Sequence, residues 1–565
     1  MPPADPALPP AAPALPPAEL ALRADVHPGL RRLRAGGRPS PLLVVSSTTV
    51  AVLFAGPLAY LVYRNITLGA DLWATVRSPL VYEPLQRTLV LAVAVSASAA
   101  ALGTALAWLT TRSDVPLRKL WRLLAPLPLV FPSFVGAAAL VAAFAPGGLL
   151  DELLSPVGVQ QLPPVRGFAG AWLVLTLFTY PYVYLPVAAR FASLAPSLEE
   201  SARLLGRRPV EVFRTVVLAQ SWGAVAAGTL LVFLYTVSDF GAVAILRYDT
   251  ITRVIEANYL TNPTRALSLG LVLVLVTVAV VIGERAVGRR RLVSEAVRAK
   301  RPLHVPLGRW RLPALAAVVV LMGGALLAPV VVLGYWAVRG LLRGDTAATS
   351  LATDVGGLLE PAVNTALVSV ATAAVAVAVV LPVAYLTSRH RSRLGGSVNA
   401  VVVGGFALPG LVIALSLVFW VRQAPLALYE QLYQALPLLV FAYVVHFGAQ
   451  AMRASQVAVG AVPGRLDDAA RMLGAGRARR FASIEWPLMR PGLLAGAGLV
   501  LLSTMKELPA TLLLAPIGFD TLATRIWGAS QDGFLAETGL TSLVLVAVSA
   551  VLTWFLVARR TERFA

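Results

Sequence analysis

The chain has 565 residues, of which 58% are hydrophobic and 13% are charged, and its mean hydropathy is +0.75. Soluble domains carry about 25% charged residues, so the composition excludes an ordinary soluble protein and predicts an integral membrane protein. The absence of cysteine excludes a disulfide framework and a thiolate metal site.

The distribution of charge indicates membrane topology rather than a nucleic-acid partner. The net charge is +20. With the segments numbered from a cytoplasmic N-terminus, most of the 48 Lys and Arg residues fall in the N-terminal tail, the even-numbered loops and the C-terminal tail. Cytoplasmic segments of membrane proteins carry this excess of positive charge. We therefore expect both termini in the cytoplasm, a lipid bilayer around the chain and no nucleic acid.

In chain order, the sequence begins with a polar tail and continues with long apolar runs. Residues 1–40 are rich in proline and alanine, which predicts a disordered cytoplasmic tail. Apolar runs of about 20 residues, each long enough to cross a bilayer as a helix, then recur. We expect an all-α integral membrane protein with about twelve transmembrane helices. Their predicted positions are 42–63, 88–110, 123–145, 168–189, 221–246, 267–283, 312–338, 364–387, 398–421, 435–452, 491–515 and 539–558.

The second half of the chain repeats the first. The stretch "EPLQRTLVLAV" followed by "AWLTTR" matches "EPAVNTALVSV" followed by "AYLTSR", and the register changes once, in a loop. The aligned pairs are Glu83 and Glu360, Thr88 and Thr365, Arg112 and Arg389, Pro132 and Pro409, Gly206 and Gly474, Phe213 and Phe481, and Asp239 and Glu507. Such agreement predicts a tandem duplication.

Each repeat contains six predicted spans, so both repeats enter the membrane from the same side. We expect a first unit at 41–288, a basic cytoplasmic linker at 289–311 and a second unit at 312–565.

A polar, arginine-rich loop lies between the fourth and fifth span of each unit. In the first polar loop (residues 197–220), a short helix is expected to end at a turn on Gly206, and Pro209 suits the first turn of the next helix. That next helix is predicted to carry an apolar stripe made of Val210, Phe213 and Val217.

The second polar loop (residues 465–488) follows the same plan. Its turn is expected at Gly474, and Phe481 and Ile484 are expected to form the apolar stripe. Because proline cannot continue a helix without losing a hydrogen bond, Pro487 is expected to end the second helix.

The two loops resemble the EAA loop of ABC-importer permeases, which reads Glu-Ala-Ala, three residues, Gly, nine residues, then Ile-x-Leu-Pro. The first copy departs from it at Ser201 and lacks the final proline, and the second departs at Asp468 and Trp486. The resemblance implies type I permease units whose loops bind two copies of a cytoplasmic ABC ATPase. The residues that it places at this contact are Glu200, Ala202, Gly206, Asp468, Ala469, Ala470, Gly474 and Pro487.

Charged residues inside spans are costly and usually functional. The aligned Asp239 and Glu507 each follow their polar loop within the fifth span of a unit, with Lys506 beside Glu507 and a helix-breaking Pro509 after it. One interpretation places these four residues in a translocation pathway or gate. The alternative is a buried structural network of the acids with Lys506 or nearby hydroxyls, among them those of Ser503 and Ser238.

The stretch "MKELPATLLLAPIGFDTLATRIW" (505–527) is similar to the corresponding part of fused ferric-iron permeases of ABC importers, and "YDTITRVIEANY" (248–259) echoes it. The resemblance implies iron(III) import across a bacterial plasma (inner) membrane, with an extracytoplasmic binding protein that delivers iron to loops 248–266 and 516–538. Permeases for thiamine, phosphonates, sulfate and polyamines share the architecture, and carboxylates suit iron and polyamines alike.

Other function classes fit the sequence less well. An ion-gradient-driven secondary transporter can also have twelve spans in two parallel repeats, but it needs no paired docking loops. The chain has neither a phosphate-binding loop nor an H-E-x-x-H motif, so we expect no enzyme activity and no bound cofactor. ATP and Mg²⁺ would be used by the partner ATPase. A lone His446 in "AYVVHFGAQ" is expected to be packed or hydrogen-bonded in the bundle.

Overall fold

A computed structural model describes residues 39–67, 77–158, 162–194, 196–288, 303–343, 355–390, 392–405, 408–433 and 435–561. Residues 1–38 of the predicted tail and residues 289–302 of the predicted basic linker lie outside these ranges. The expectations for those two segments therefore stay predictions.

The described residues form helices joined by turns, with one isolated backbone bridge, between Ser113 and Val305. The helices of the first unit are α1 (Pro41–Thr67), α2 (Pro79–Arg112), α3 (Arg118–Leu124), α4 (Ser133–Ala143), α5 (Leu149–Leu154), α6 (Gly167–Ser193), α7 (Pro196–Leu204), α8 (Pro209–Ser238), α9 (Gly241–Ile245), α10 (Ile251–Asn258) and α11 (Pro263–Gly288). The helices of the second unit are α12 (Gly308–Leu342), α13 (Leu359–Arg389), α14 (Arg393–Gly404), α15 (Gly410–Arg422), α16 (Leu426–Leu432), α17 (Leu436–Gly460), α18 (Gly464–Met472), α19 (Arg477–Thr504), α20 (Pro509–Leu514), α21 (Leu522–Asp532) and α22 (Leu535–Thr561).

Ten helices among the described residues are long and apolar enough to cross a membrane, and an eleventh span is counted if one bent pair is included. In this pair, Arg118–Val130 meets Ser133–Ala143 at an angle of 94°. The ninth predicted span is likewise divided, into α14 and the 13-residue α15. A proline, Pro132 or Pro409, stands directly before α4 and before α15 and prevents a continuous helix.

The duplication is visible in matching contacts of the two units. Thr88 on α2 accepts a hydrogen bond from the backbone N–H of Ile251 at 2.9 Å, and the aligned Thr365 on α13 accepts one from Leu522 at 2.8 Å. Each threonine also donates to a carbonyl of its own helix at 2.7 Å. An equivalent threonine hydrogen bond therefore attaches α10 to α2 in the first unit and α21 to α13 in the second.

The first helix of each unit packs on the other unit. Helix α1 lies against α13, α14 and α15, with Phe54 filling the space beside Gly448. Helix α12 lies against α4, where the indole N–H of Trp336 donates to the Ala142 carbonyl at 2.9 Å. The units at 41–288 and 312–565 are thus continuous in sequence, but the first helix of each also packs against the other unit in space, a feature that the repeat pattern did not predict.

Glycines allow close packing in the first unit. Helix α6 lies against both α2 and α8. A methyl group on Gly103 of α2 would stand 2.8 Å from the carbonyl oxygen of Tyr180, and one on Gly228 of α8 would stand 2.6 Å from the Cα of Val183. Small residues allow membrane helices to approach in this way, because packing is what holds such helices together.

We expect Gly228→Ala to destabilise the bundle, because its methyl group would push against backbone that cannot move aside. Overpacking of this kind costs about 1–3 kcal/mol. Gly223→Ala is the matched control, since it lies on the same helix and its added methyl group would meet no atom within 4 Å. The measurement is the thermal unfolding midpoint of each purified variant in detergent. Equal midpoints for the two variants would contradict the packing argument.

Candidate functional site

Both polar loops contain the predicted short helix and glycine turn. Helix α7 ends with the Arg207 N–H bonded to the Ala202 carbonyl at 3.2 Å, and α18 ends with the Ala475 N–H bonded to the Ala470 carbonyl at 2.9 Å. A hydrogen bond of this kind, from an N–H to the carbonyl five residues earlier, closes the helix end and needs one residue in the left-handed conformation. That residue is Gly206 (φ +79°) in the first loop and Gly474 (φ +74°) in the second. The prediction of turns at Gly206 and Gly474 is confirmed.

The predicted loop residues divide into buried and exposed ones. Ala202 and Ala470 are buried and hold the short helices on the bundle. The remaining predicted residues lie on the exposed side, namely Glu200, Gly206, Asp468, Ala469, Gly474 and Pro487. A methyl group added at either glycine would meet no atom of this chain within 4 Å. The glycines therefore serve the left-handed turn rather than a close contact inside the chain.

An exposed apolar pair, which was not among the predicted site residues, stands at the tip of each loop. Leu204 and Leu205 are 88% and 81% exposed, and the aligned Met472 and Leu473 are 89% and 87% exposed. Contiguous exposed apolar side chains in polar surroundings mark interaction sites. The available signal was two apolar residues directly before the glycine in both copies.

The second helix of the first polar loop buries a different set of residues from the predicted apolar stripe. Pro209 occupies the first turn of α8, as predicted. Val210 is exposed, whereas Val212 and Val217 are buried and Phe213 packs edge-on against Trp108 with ring centroids 6.1 Å apart. The reason is a π-helical segment, Phe213–Leu218, which widens the turn and rotates the buried face away from α-helical spacing.

The second loop shows the same distortion, and two of its predictions were wrong. A π-helical segment, Phe481–Glu485, precedes Pro487, and the helix then continues to Thr504. Pro487 does not end the helix, because its missing N–H falls where the bonding changes from the π to the α pattern. Phe481 is exposed and Ile484 only partly buried, so neither forms a buried stripe.

The fifth span of the first unit breaks at Asp239. Helix α8 ends at Ser238, and the buried carboxylate accepts hydrogen bonds from the backbone N–H groups of Ala242 at 3.1 Å and Val243 at 3.4 Å. Ser133 at the start of α4 donates to the second carboxylate oxygen at 2.5 Å. The carboxylate therefore caps the short helix α9 and ties it to α4.

Glu507 holds the matching break in the second unit. Its carboxylate accepts from the backbone N–H of Ala510 at 3.2 Å, in the first turn of α20, and lies 4.0 Å from Nε2 of His446. His446 is itself hydrogen-bonded to the Leu408 carbonyl at 3.1 Å, which confirms the prediction for that residue. Pro509 begins α20, as expected of a helix-breaking residue.

The residue beside each acid differs in size, and this offsets the difference in length between the aspartate and the glutamate. Ser133 follows Pro132, and the aligned residue after Pro409 is Gly410. A methyl group on Gly410 would stand 2.6 Å from Oε1 of Glu507. The longer glutamate thus fills the space that a serine side chain occupies beside Asp239.

The acids belong to a bonded network, but its members are not the predicted ones. Lys506 donates to the Leu129 carbonyl of the first unit, and Ser503 donates to Gln450 at 3.0 Å. Asp239 is bonded to Ser133 rather than to Ser238. These partners lie far away in sequence, which is why proximity along the chain did not reveal them.

The two breaks meet at the junction of the units. A methyl group on Gly241 would stand 3.3 Å from Cδ2 of Leu508, and Phe240 stacks on Trp527 of α21 with ring centroids 5.1 Å apart.

A charged cleft of about 380 Å³ opens beside this junction, at the end of the bundle away from the polar loops. Residues of α10 and α21 line it, so it lies between the two loops predicted to receive the substrate. Its lining residues are Ala244, Arg247, Asp249, Arg253, Val254, Glu256, Ala257, Asn258, Trp527 and Gln531. Burial raises the pKa of the Glu256 carboxyl, partly offset by Arg253. Within the described ranges, no group of three or more His, Cys, Asp or Glu side chains could hold a metal ion.

We expect Gly410→Ser to destabilise the protein alone and to be tolerated with Glu507→Asp, because the double variant reproduces the Ser133 and Asp239 pair. The single change should cost about 1–3 kcal/mol through overpacking. The coupling between the two changes should reach about 1 kcal/mol or more.

The measurement is a double-mutant cycle on thermal unfolding midpoints in detergent. Gly404→Ser is the control, since a methyl group there would meet no atom within 4 Å. Additive effects of the two changes would show that the residues do not compensate for each other.

Comparison with known proteins identifies the family. The model for "Binding-protein-dependent transport system inner membrane component" matches residues 99–293 and again residues 380–561. An Fe(3+)-transport system permease protein of Haemophilus influenzae is 29% identical over 527 residues, which cover 91% of this chain and 97% of the relative.

Two further relatives match a single repeat. A sulfate transport system permease protein of Salmonella typhimurium is 30% identical over 34% of this chain and 69% of its own length. A molybdenum transport system permease protein of Mycobacterium bovis is 30% identical over 40% of this chain and 86% of its own length. With the domain present twice, this multi-pass chain belongs to the binding-protein-dependent inner membrane components, the permeases of ABC importers.

Proposed function

We propose that this chain forms the complete translocation pathway of a ferric-iron importer, with one permease unit at 41–288 and the other at 312–565. Two copies of a cytoplasmic ABC ATPase would bind the two polar loops, and an extracytoplasmic binding protein would deliver the iron. The single observation that carries the docking part of this proposal is the matched, exposed apolar pair at the tip of each loop.

The proposed ATPase contact combines exposure with rigidity. Each tip presents two apolar side chains beside an exposed acid, Glu200 or Asp468, on a short helix closed by a left-handed glycine. Covering the apolar side chains would stabilise a complex by about 1.5–3 kcal/mol for each one fully buried. The ATPase would supply the ATP and Mg²⁺ chemistry, and this chain would bind no cofactor. Gly206 and Gly474 would set the angle of each tip, and Ala202, Ala469, Ala470 and Pro487 would shape the docking helices.

The proposed orientation places both polar loops and both termini in the cytoplasm. Arginines are concentrated in the polar loops and in the segment between the units, as the positive-inside rule requires of cytoplasmic segments. The cleft between α10 and α21 then faces the outside, where a binding protein would dock.

We assign the gate of the pathway to the two acidic breaks. Asp239, Lys506, Glu507 and Pro509 lie where spans end at the junction of the units, and Lys506 donates across that junction. Relative movement of the units would have to rearrange these contacts. Closure of the two ATPases on ATP would draw the loops together and open the breaks outward, and hydrolysis would reset them.

Ferric iron is favoured as the cargo because the relative that spans nearly the whole chain is named for Fe(3+) transport. Relatives named for sulfate and molybdenum match one repeat only. Asp249 and Glu256 give the cleft hard oxygen donors that suit iron, but two arginines accompany them. The binding protein would therefore supply most of the selectivity. Sulfate, thiamine, phosphonate and polyamine remain the alternative cargoes.

Changing Leu205 and Leu473 together to Asp should abolish retention of the partner ATPase, because each charge would replace an apolar contact at a loop tip. Purification of the tagged permease with its co-expressed ATPase measures retention. Ile517→Asp is the control, since this equally exposed residue lies at the opposite end of the bundle. If the double variant still retained the ATPase, the loop tips would not be part of the ATPase contact.

Uptake of radiolabelled ferric iron should depend on this gene and should return with the wild-type chain but not with Gly474→Val. The valine would disfavour the left-handed turn without blocking membrane insertion. Immunoblots of membrane fractions verify that insertion. Iron uptake that is independent of the gene would leave the permease assignment intact and transfer the substrate question to the alternative cargoes.

A further inference from the structure

The two polar loops are attached to the bundle in different ways. In the first unit, Arg112 at the end of α2 is 1% exposed and forms an ion pair with the buried Glu199 of α7. The same guanidinium donates from Nε and Nη2 to the Phe191 carbonyl, at 3.0 and 2.8 Å. One buried side chain therefore holds both the end of α6 and the short helix of the first polar loop.

Arg112 also holds the segment that enters the second unit. Its backbone carbonyl accepts from the N–H of Val305 at 2.8 Å, and Asp114 accepts from the N–H of Leu307 at 2.8 Å. Residue 308 begins α12, the helix that packs on the first unit. Consequently the first polar loop, α2 and the approach to α12 are joined at a single residue.

The second unit keeps the residue types but not the contact. Arg389 aligns with Arg112, and Asp467 aligns with Glu199. Asp467 instead pairs with two arginines of its own loop, Arg471 and Arg480, each at 2.8 Å. Nη2 of Arg389 is buried and has no hydrogen-bond partner among the residues that the structure describes. The short helix α18 is therefore braced on the start of α19, and the contact of the second polar loop with α13 is a hydrogen bond from the Tyr385 hydroxyl to Glu485, in the part of the loop that follows α18.

This difference has a mechanical consequence. A buried ion pair with further hydrogen bonds fixes the relative position of its elements, because breaking it leaves an uncompensated charge away from water. The pairs of Asp467 join α18 to the start of α19, and no ion pair joins α18 to α13 among the residues that the structure describes. Movement of α7 would therefore be passed directly to α2 and to the segment before α12, whereas movement of α18 would reach α13 by way of α19.

We propose that Arg112 is a positioning residue that, through Glu199, makes the first polar loop the rigid transmission contact and leaves the second loop the compliant one. This inference rests on the proposed docking of an ATPase at both loops. It assigns unequal coupling to two loops whose sequences match.

A first experiment needs no ATPase. The chain has no cysteine, so single nitroxide labels can be placed at Leu205→Cys and Leu473→Cys, two aligned positions that are both more than 80% exposed. Electron paramagnetic resonance of the full chain in nanodiscs reports label mobility. We expect lower mobility at position 205 than at 473. Glu199→Gln should raise the mobility at 205 to that at 473, and the matched Asp467→Asn should leave 205 unchanged.

A second experiment measures coupling with the co-purified ATPase. We expect Glu199→Gln to lower the cargo transported per ATP hydrolysed by about fivefold or more while the ATPase stays bound, and Asp467→Asn to have a clearly smaller effect. Replacing both Arg112 and Glu199 by Met removes the buried charges together and should restore loop order more than Glu199→Gln does. This double variant also tests the idea if the single variant does not insert.

The outcomes separate the two proposals. Equal label mobility in the wild-type loops, or equal loss of coupling in the two single variants, would overturn the asymmetry. Failure of the wild-type chain to retain any ATPase would overturn the proposed docking instead, and the label mobilities would still decide whether the loops differ.

Discussion

The structure depends on one constraint, that backbone N–H and C=O groups inside a bilayer must be satisfied within the protein. The fifth span of each unit breaks, and the break is possible because a carboxylate accepts the freed N–H groups of the next helix. Thr252 completes the first break by donating to the Asp239 carbonyl at 2.6 Å. An acid that is costly in a membrane is thereby retained at the place where the helix must end. The same acids stand where the two units touch, so the structural requirement and the proposed gate share one location.

The two units solve equal problems with different residues. A short acid with a serine in one unit corresponds to a long acid with a glycine in the other. Arg112 at the end of α2 forms an ion pair with Glu199 of the first loop, whereas the aligned Arg389 on α13 forms none with Asp467 of the second. Duplication within one chain allows such divergence, since each half packs only against its own partner half. A permease built from two identical chains could not differentiate its loops in this way.

The proposed function follows from how the two ends of the bundle are connected. Helices α8 and α19 each run from a polar loop to an acidic break, so each exposed tip is connected to a break by one continuous helix. A π-helical segment in each polar loop interrupts the regular α-helix at the point where the loop continues into α8 or α19. Force applied at a tip therefore reaches the breaks along one helix in each unit, and in the first unit Arg112 also connects the short helix α7 directly to α2.

Composition and local pattern determined the membrane class, the duplication, the glycine turns and the positions of the acids, because hydrophobicity, repeat register and turn preference are written along the chain. The sequence could not determine the 94° bend of the third span, the packing of α1 and α12 against the opposite unit, or the exposed face of each polar loop. It also misassigned the helix end at Pro487 and the partners of Asp239 and Glu507. These features were decided by tertiary structure, because each depends on which distant side chains meet. Arg112 and Arg389 are alike in the aligned repeats, and only the packing around them decides that one arginine binds its polar loop and the other does not.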